Sequence, residues 1–187
     1  SVLESIDVTD SSQVTGTGST QISINTSSDL AEQTEYYVQI DSTAFDDSSS
    51  NSYAGISDKT TYSFTTADET APVVSSVTPA DNATAVATNS NFVLNFSEAV
   101  DVETGNIVIY KASDDSVLES IDVTDNSQVT GTGTTQITIN PSGDLAEQTE
   151  YYVQIASTAF DDASSNSYAG ISDKTTYSFT CLLYTSP

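Results

Sequence analysis

Residues 150–155 read EYYVQI, and this short stretch decides the predicted fold. Tyr151, Val153 and Ile155 share one face of an extended chain, because successive side chains of a β-strand point to opposite sides. Tyr152 falls on the other face, which we expect to be exposed. Alternation of this kind is typical of a strand with one buried face, so we predict a strand here.

The same alternation recurs on both sides of this strand, and in NFVLNF (91–96), for example, it places Phe92, Leu94 and Phe96 on one face. Turn-forming clusters rich in Asp, Asn, Gly, Pro and Ser separate the alternating stretches, and TGTG at 130–133 predicts a hairpin turn. Seven or so short strands within about 110 residues, without a sustained helical period, predict an all-β fold, an antiparallel β-sandwich. The other predicted strands are APVVSSVTP (71–79), NFVLNF (91–96), NIVIY (106–110), SVLESIDV (116–123), TQITIN (135–140) and TYSFT (176–180).

The charge of the chain excludes several kinds of partner. The 187 residues carry a formal net charge of −24, and Lys59, Lys111 and Lys174 are the only cationic side chains. Nucleic acids and anionic membranes bind clustered Lys and Arg, so neither is an expected partner. No apolar run approaches the length of about 18 residues that a membrane-spanning helix needs, so we expect no direct membrane insertion.

The chain is built from a repeat. Residues 1–65 match residues 116–180 at a constant offset of 115, and 58 of the 65 positions are identical. A period of this length is the size of a whole domain. We therefore predict a complete repeat at 67–180, preceded at 1–66 by the C-terminal part of another repeat. Since residue 1 falls inside a repeat, we also expect the natural chain to begin earlier.

The two copies diverge after the same threonine. Thr65 is followed by TADETAPVV, whereas Thr180 is followed by CLLYTSP. Back-translation of CLLYTSP resembles an adapter used in some sequencing libraries, so we predict that Cys181–Pro187 are adapter read-through and not native. A genuine divergent tail is the alternative. On the first interpretation the natural repeat has no cysteine, and thiol chemistry is excluded.

Several motifs in 67–180 together resemble the bacterial Ig-like domain of the S-layer and adhesin type. These motifs are P-x-D at 79–81, F-S-E-x-V at 96–100, L-x-x-x-T-x-Y-x-V at 145–153 and Y-S-F-T at 177–180. The resemblance implies an Ig-like sandwich in tandem repeats of a large exported bacterial surface protein. It also implies neighbouring repeats as partners, an extracellular location and no catalytic residues.

The residue inventory argues against an enzyme. The chain has no histidine, the commonest general base, and Lys59 and Lys174 lie in polar SDKT stretches where we expect them to be solvated. Asp161 and Asp162 are adjacent carboxylates, but their serine-rich loop offers no aromatic platform for a sugar. We predict no catalytic site.

Calcium is the one cofactor that the sequence suggests. Carboxylate and amide oxygens are the ligands that Ca²⁺ prefers, and two equivalent loops and the linker between the repeats supply them. A solvated acidic surface without metal is the alternative, and no D-x-D-x-D-G loop is present to decide between them. The candidate ligands are Asp46, Asp47 and Asn51 in the first copy, Asp68 and Glu69 in the linker, and Asp161, Asp162 and Asn166 in the second copy.

We compare three candidate functions for this chain. The leading prediction is a non-catalytic spacer repeat of an adhesin or S-layer-like stalk, stiffened by calcium at the junction between repeats. The alternative is a module of a secreted protein that binds a glycan or another surface protein. Tyr168, in the NSYAGISD loop, is the aromatic residue whose exposure would allow contact with such a ligand, but loop residues that plug the end of a sandwich are common, and we favour that role for it. An enzyme is the third and least favoured.

Overall fold

The computed structural model describes residues 1–183 and divides the chain into two compact units, Ser1–Asp68 and Glu69–Pro187. The described residues form strands and turns and contain no helix. No helix that could cross a membrane is therefore present in 1–183. The predicted adapter segment lies partly outside the described residues, at 184–187, and its origin stays a prediction.

The first unit contains little regular structure. Its strands form two separate antiparallel pairs, β1 with β2 and β3 with β4. The four strands are β1 (Val14–Thr15), β2 (Ser23–Ile24), β3 (Glu35–Tyr37) and β4 (Ser63–Thr65).

The second unit is a sandwich of two five-stranded sheets. One sheet has the order β10-β11-β7-β13, with β5 also paired to β7, and the other has the order β6-β14-β12-β8-β9. All pairs are antiparallel except β6 with β14. This confirms the predicted all-β sandwich. The ten strands are β5 (Val74–Thr78), β6 (Ala83–Val86), β7 (Phe92–Val102), β8 (Asn106–Lys111), β9 (Val117–Asp122), β10 (Val129–Thr130), β11 (Thr134–Ile139), β12 (Glu150–Ile155), β13 (Phe160–Asp161) and β14 (Ser178–Cys181).

The core of the second unit lies between the two sheets. The alternating residues of β7 and β12 that were predicted to face inward are all buried. Phe92 of β7 meets Phe179 of β14, in the other sheet, with ring centroids 5.2 Å apart. Tyr177 is fully buried beside Phe92, and its hydroxyl donates a hydrogen bond to the backbone oxygen of Thr78 at 3.0 Å. The tyrosine therefore satisfies its polar atom while filling the core.

The prediction that Tyr152 is exposed is wrong. The residue lies on the outer face of β12, as its position in the alternation requires, but only 3% of its surface is exposed. The ring of Tyr110, directly opposite on β8, stacks on it at 4.8 Å, and Lys174 Nζ lies 5.7 Å from its ring centroid. Cross-strand neighbours cover the ring, so a residue that points away from the core is still buried.

The two copies allow a direct comparison of identical sequence in two environments. VLESID at 117–122 forms β9, paired with β8, whereas the same six residues at 2–7 form no strand. β11 has six residues along β7, while its counterpart β2 has two. Strands equivalent to β7 and β8 are absent from residues 1–68, so pairing and not local preference decides whether these segments become strands.

We expect the same substitution to destabilise the second unit when it is made in the second copy, and to leave that unit unchanged when it is made in the first copy. Ile139 is fully buried, whereas its counterpart Ile24 is 43% exposed. Ile139→Ala should destabilise the second unit by about 2 to 5 kcal/mol, because it removes buried methyl groups and leaves a cavity. Denaturant unfolding of the full chain, followed by circular dichroism, measures this change.

Ile24→Ala is the matched control. It should leave the unfolding midpoint of the second unit unchanged, since the two residues belong to different units. Equal effects of the two variants on that midpoint would contradict the assignment of Ile139 to a separate, complete core.

Candidate functional site

Most of the acidic turns in this protein are closed by an aspartate that binds the residue two positions later. In each turn one carboxylate oxygen accepts hydrogen bonds from both the backbone N–H and the hydroxyl of that Ser or Thr, at 2.6 to 3.1 Å. The motif is an Asx-type turn, and the spacing D-x-[ST] is the sequence signal from which these turns could be predicted. The aspartates are Asp7, Asp10, Asp41, Asp58, Asp114, Asp122, Asp125 and Asp173.

These hydrogen bonds favour the charged carboxylate. Those donated by nearby Ser and Thr residues lower the pKa of each of the eight aspartates below its usual range. The effect is largest for the equivalent residues Asp58 and Asp173, whose carboxylates also accept from the Thr three positions later. The ionised carboxylates therefore stabilise these turns more than the protonated acids would.

The loop at 161–166 is the acidic loop with the most buried carboxylate. Asp162 accepts hydrogen bonds from the backbone N–H groups of Ser164 and Asn166, both at 2.8 Å, through Oδ1. Its Oδ2 accepts a hydrogen bond from Asn166 Nδ2, also at 2.8 Å. Burial alone would raise the pKa of Asp162, but the hydrogen bonds from Asn166 and Ser164 outweigh it and lower the pKa. Asp162 therefore stabilises its own loop.

The equivalent loop of the first copy has the same local geometry without the burial. Asp47 accepts hydrogen bonds from the backbone of Ser49 and from the backbone and side chain of Asn51 at 2.8 to 2.9 Å. Asp46, Asp47 and Asn51 are all exposed, however. The loop conformation is thus encoded locally, whereas burial of its aspartate depends on the rest of the sandwich.

Asp161 has an acidic neighbour that is distant in the sequence. In the antiparallel pair of β13 and β7, Asp161 lies directly opposite Asp101. Asp101 accepts a hydrogen bond from the hydroxyl of Thr132 at 3.2 Å. Like charges placed directly opposite each other on paired strands are unfavourable. This pair could not be predicted from the sequence, because only the fold brings the two strands together.

Within each unit, the structure brings predicted calcium ligands together in one acidic loop. Asp46, Asp47 and Asn51 share one loop of the first unit, and the residues at 161–166 share the equivalent loop of the second. In the linker, Asp68 ends the first unit and accepts a hydrogen bond from Gln33 Nε2, while Glu69 begins the second unit and is exposed. Calcium binding by these residues stays a prediction.

Tyr168 is buried, as favoured for a loop residue that plugs the end of the sandwich, and its ring is not exposed as contact with a ligand would require. Only 6% of its surface is exposed, and its ring packs edge-on against Phe96 at 5.3 Å and lies 6.4 Å from Phe160. Burial raises the pKa of its hydroxyl to about 12. The residue closes one part of the core and offers no ring face for a ligand.

Lys174 is also held more firmly than we predicted. Its Nζ forms an ion pair with the Asp115 carboxylate, although both side chains remain about half exposed. The Tyr152 hydroxyl donates a hydrogen bond to the same carboxylate at 3.2 Å. The hydrogen bond to Asp115 raises the pKa of Lys174, so the amine stays protonated and is not activated as a nucleophile.

The chain belongs to the bacterial Ig-like domain family, whose sequence model matches residues 1–66 and again residues 68–181. Among solved structures, the chain is similar to the N-terminal part of the bacterial S-layer protein SbsC, at 18% identity and a TM-score of 0.41. A second S-layer structure, rSbsC(31-844), gives 19% identity and a TM-score of 0.39. No curated protein matches the chain.

These alignments are partial. Each covers 60% of this chain but only 24% of the first S-layer structure and 14% of the second. The chain therefore spans less than a quarter of the length of the S-layer chain in either structure.

We expect Asp162→Asn to destabilise the second unit in a pH-dependent way. The folded-state pKa of Asp162 is lowered, so its stabilising effect is present above the unfolded value of about 3.9 and is lost as pH falls through the folded pKa. At pH 7 the variant should lose about 1 to 3 kcal/mol, because hydrogen bonds to a buried charge are removed. The difference from wild type should narrow below about pH 4.

Urea unfolding of the full chain at pH 7 and pH 3 measures this difference, with Asp47→Asn as the control at the exposed, equivalent position. Asp47→Asn should leave the second unit unchanged at both pH values. An equal loss for Asp162→Asn at pH 7 and pH 3 would show that the ionised carboxylate does not hold the loop.

Proposed function

We propose that this chain is a non-catalytic structural repeat that spaces apart other domains in an exported bacterial surface protein, as part of an adhesin or S-layer-like stalk. The observation that carries the proposal is the repetition itself. A domain-sized unit of the bacterial Ig-like family recurs with 58 of 65 residues identical, which suits a part that is multiplied for length. The S-layer proteins with similar folds are compatible with a location at the cell surface.

The dimensions of the second unit suit a spacer. Its longest strand, β7, has 11 residues, which at about 3.3 Å per residue span about 36 Å. With loops and linker, one complete repeat would add about 40 Å to a chain of such units. Length therefore increases in steps as repeats are added.

The beginning and the end of the second unit are joined directly by hydrogen bonds. The backbone N–H of Asn82 donates to the Ser178 oxygen at 2.7 Å, and the Ser178 N–H donates to Asp81 Oδ1 at 2.9 Å. The parallel pair of β6 and β14 continues this contact. A pull on the two ends of the unit would load these hydrogen bonds together, which supports a role in bearing tension.

The proposal also includes stabilisation of the repeat by calcium. Asp101 and Asp161 lie opposite each other in a strand pair, where like charges are unfavourable. A divalent cation would remove this repulsion and coordinate the same oxygens. Extracellular calcium-binding modules have dissociation constants of about 10⁻⁴ to 10⁻³ M, so modest affinity would be sufficient outside a cell.

Forced unfolding of single molecules tests the mechanical role. Pulled by its two ends, the full chain should show one main unfolding event, with a gain in contour length of about 35 nm from the second unit. Tyr177→Phe removes the hydrogen bond to Thr78 and should lower the unfolding force. Tyr62→Phe, at the equivalent position where the side chain is 49% exposed, should not.

Two outcomes would contradict the spacer proposal. The first is an unfolding force that Tyr177→Phe does not change, which would mean that the contact between the ends carries no load. The second is saturable binding of the unmodified chain to individual members of a glycan array, which would favour the alternative of a recognition module.

Thermal unfolding tests the calcium proposal separately. Millimolar CaCl₂ should raise the melting temperature of the second unit more than MgCl₂ or NaCl at matched ionic strength does. Asp161→Asn should remove the difference, because it removes one of the two opposed carboxylates. Glu147→Gln, at an exposed residue outside the loop, should preserve it. Equal responses to the three salts would mean that screening alone stabilises the protein.

A further inference from the structure

We propose that a groove beside β5 binds a short extended peptide, which joins the sheet as an extra strand. The peptide has an uncharged centre of small or β-branched residues, flanked on both sides by Lys or Arg. We call the cavity the β5 groove. Four consecutive residues of β5, Val74–Val77, form one wall, and Tyr168, Ile171 and Thr176 form the other. All of these residues belong to the second unit.

The β5 groove runs along the edge of its strand. Side chains of a strand alternate between two faces, so a cavity lined by four consecutive residues lies beside the strand and not over one face. Within the described residues, β5 pairs with β7 and with no other strand. The other edge of β5 therefore presents backbone groups without a strand partner, and such an edge is a template for an incoming strand.

The available edge is short. Pro72 precedes β5, Pro79 follows it directly, and proline has no N–H to donate to a partner strand. The Tyr177 hydroxyl already donates to the Thr78 oxygen at the end of the strand. A shift of register within β5 also marks a bulge. Residues 74–77 span about 13 Å at about 3.3 Å per residue, so the edge suits a short segment and not a whole sheet.

Tyr168 brings an unpartnered hydroxyl to the β5 groove. Only 6% of the residue is exposed, and its hydroxyl makes no hydrogen bond within residues 1–183. Every fully buried side-chain nitrogen or oxygen atom in that range has a partner, so the hydroxyl is the part of Tyr168 that reaches the surface. The surface it reaches is the groove that the residue lines. A backbone carbonyl of an incoming strand would accept a hydrogen bond from it.

The remaining walls are uncharged and partly apolar. Val74 and Val77 pack against the core, and Ile171 belongs to it. The Ser75 hydroxyl already donates to the Asn95 oxygen at 2.8 Å, which leaves its lone pairs free to accept. None of the described lining residues is Asp, Glu, Lys or Arg. A neutral peptide with small or β-branched side chains therefore fits these walls.

The β5 groove suits a peptide better than a stacked ring. Its cavity volume is about 310 Å³, at the lower end of the range of about 300 to 1,000 Å³ for ligand sites. Phe96 and Phe160 pack on the ring of Tyr168, so the groove offers no open aromatic face for stacking. What it offers is a strand edge with backbone donors and acceptors at strand spacing, which an extended peptide matches.

Charge determines what flanks the neutral centre. The chain has a net charge of −24, so it repels acidic segments and attracts basic ones. One carboxylate lies beside the groove wall, because Asp173 accepts a hydrogen bond from the Thr176 hydroxyl at 2.6 Å. Hydrogen bonds from Thr176 and Thr175 hold the pKa of Asp173 well below its usual range, so it is ionised at neutral pH. A Lys or Arg at the end of the peptide would meet this charge.

The experiment titrates the isotopically labelled full chain with the synthetic peptide KKTVTVTKK. Two-dimensional NMR should show saturable shifts at residues 74–77 and 168–176, and none in β9, which is an edge strand of the other sheet. Hydrogen exchange of the edge-facing amides of β5 should slow by about tenfold or more in the complex. The absence of saturable shifts at β5 would overturn the proposal.

Two N-methylated peptides test for strand pairing. Successive N–H groups of a strand point to opposite edges, so methylation of alternate amides blocks one edge of the peptide at a time. One methylated peptide should lose binding, and the other should keep most of it. The peptide KKGSGSGKK has the same charge without β-branched residues and should bind about tenfold more weakly or less. Equal binding of all four peptides would mean charge attraction alone and would overturn the proposal.

A matched pair of variants tests the hydroxyl. Tyr168→Phe keeps the packed ring and should weaken binding of KKTVTVTKK about fivefold, because one hydrogen bond is lost. Tyr110→Phe, on the outer face of β8, should leave the affinity unchanged. Unchanged affinity in Tyr168→Phe would contradict the assignment of this hydroxyl to the site.

The same titration with cellobiose tests a sugar as the occupant. Shifts at residues 74–77 with cellobiose, without a response to KKTVTVTKK, would overturn the peptide proposal in favour of a sugar site. The inference does not rest on the spacer role, because peptide binding along the side of a repeat and the force that unfolds the repeat are measured separately.

Discussion

The insertion of β8 between β9 and β12 is the interaction on which the rest of the second unit depends. It places Ile107 and Ile109 in the core and gives both neighbouring strands a hydrogen-bonding partner. Where β8 has no counterpart, the six residues that form β9 are not a strand at all. An isolated strand pair is marginally stable in water, so the sheet gains its stability only when several strands share a buried face.

This dependence explains what could be predicted from the sequence. Alternation correctly placed Phe92, Leu94 and Phe96 in the core, because these residues would be buried in any sandwich built from the segment. It could not place Tyr152 or Tyr168. Their burial is due to residues far away in the sequence, Tyr110 in one case and Phe96 in the other. The same limit applies to the opposition of Asp101 and Asp161.

Many of the acidic residues also have a local structural role that the net charge alone does not show. Eight aspartates accept two hydrogen bonds each from a Ser or Thr two positions later, so they organise turns whether or not a metal is present. The spacing D-x-[ST] could have identified them from the sequence. Which carboxylates become buried, in contrast, depends on the complete sandwich, as the contrast between Asp47 and Asp162 shows.

The few lysines have a consequence for digestion by proteases. Trypsin-like enzymes cut after Lys or Arg, and only three such bonds exist in the whole chain. In the second unit, Lys111 ends β8, which is paired on both sides, and Lys174 forms an ion pair with Asp115 and lies over the ring of Tyr152. Lys59, at the position equivalent to Lys174, is also exposed and lies over the ring of Tyr37, but the unit around it contains little regular structure. Digestion by these enzymes would therefore begin in the open half of the chain and leave the closed sandwich intact for longest.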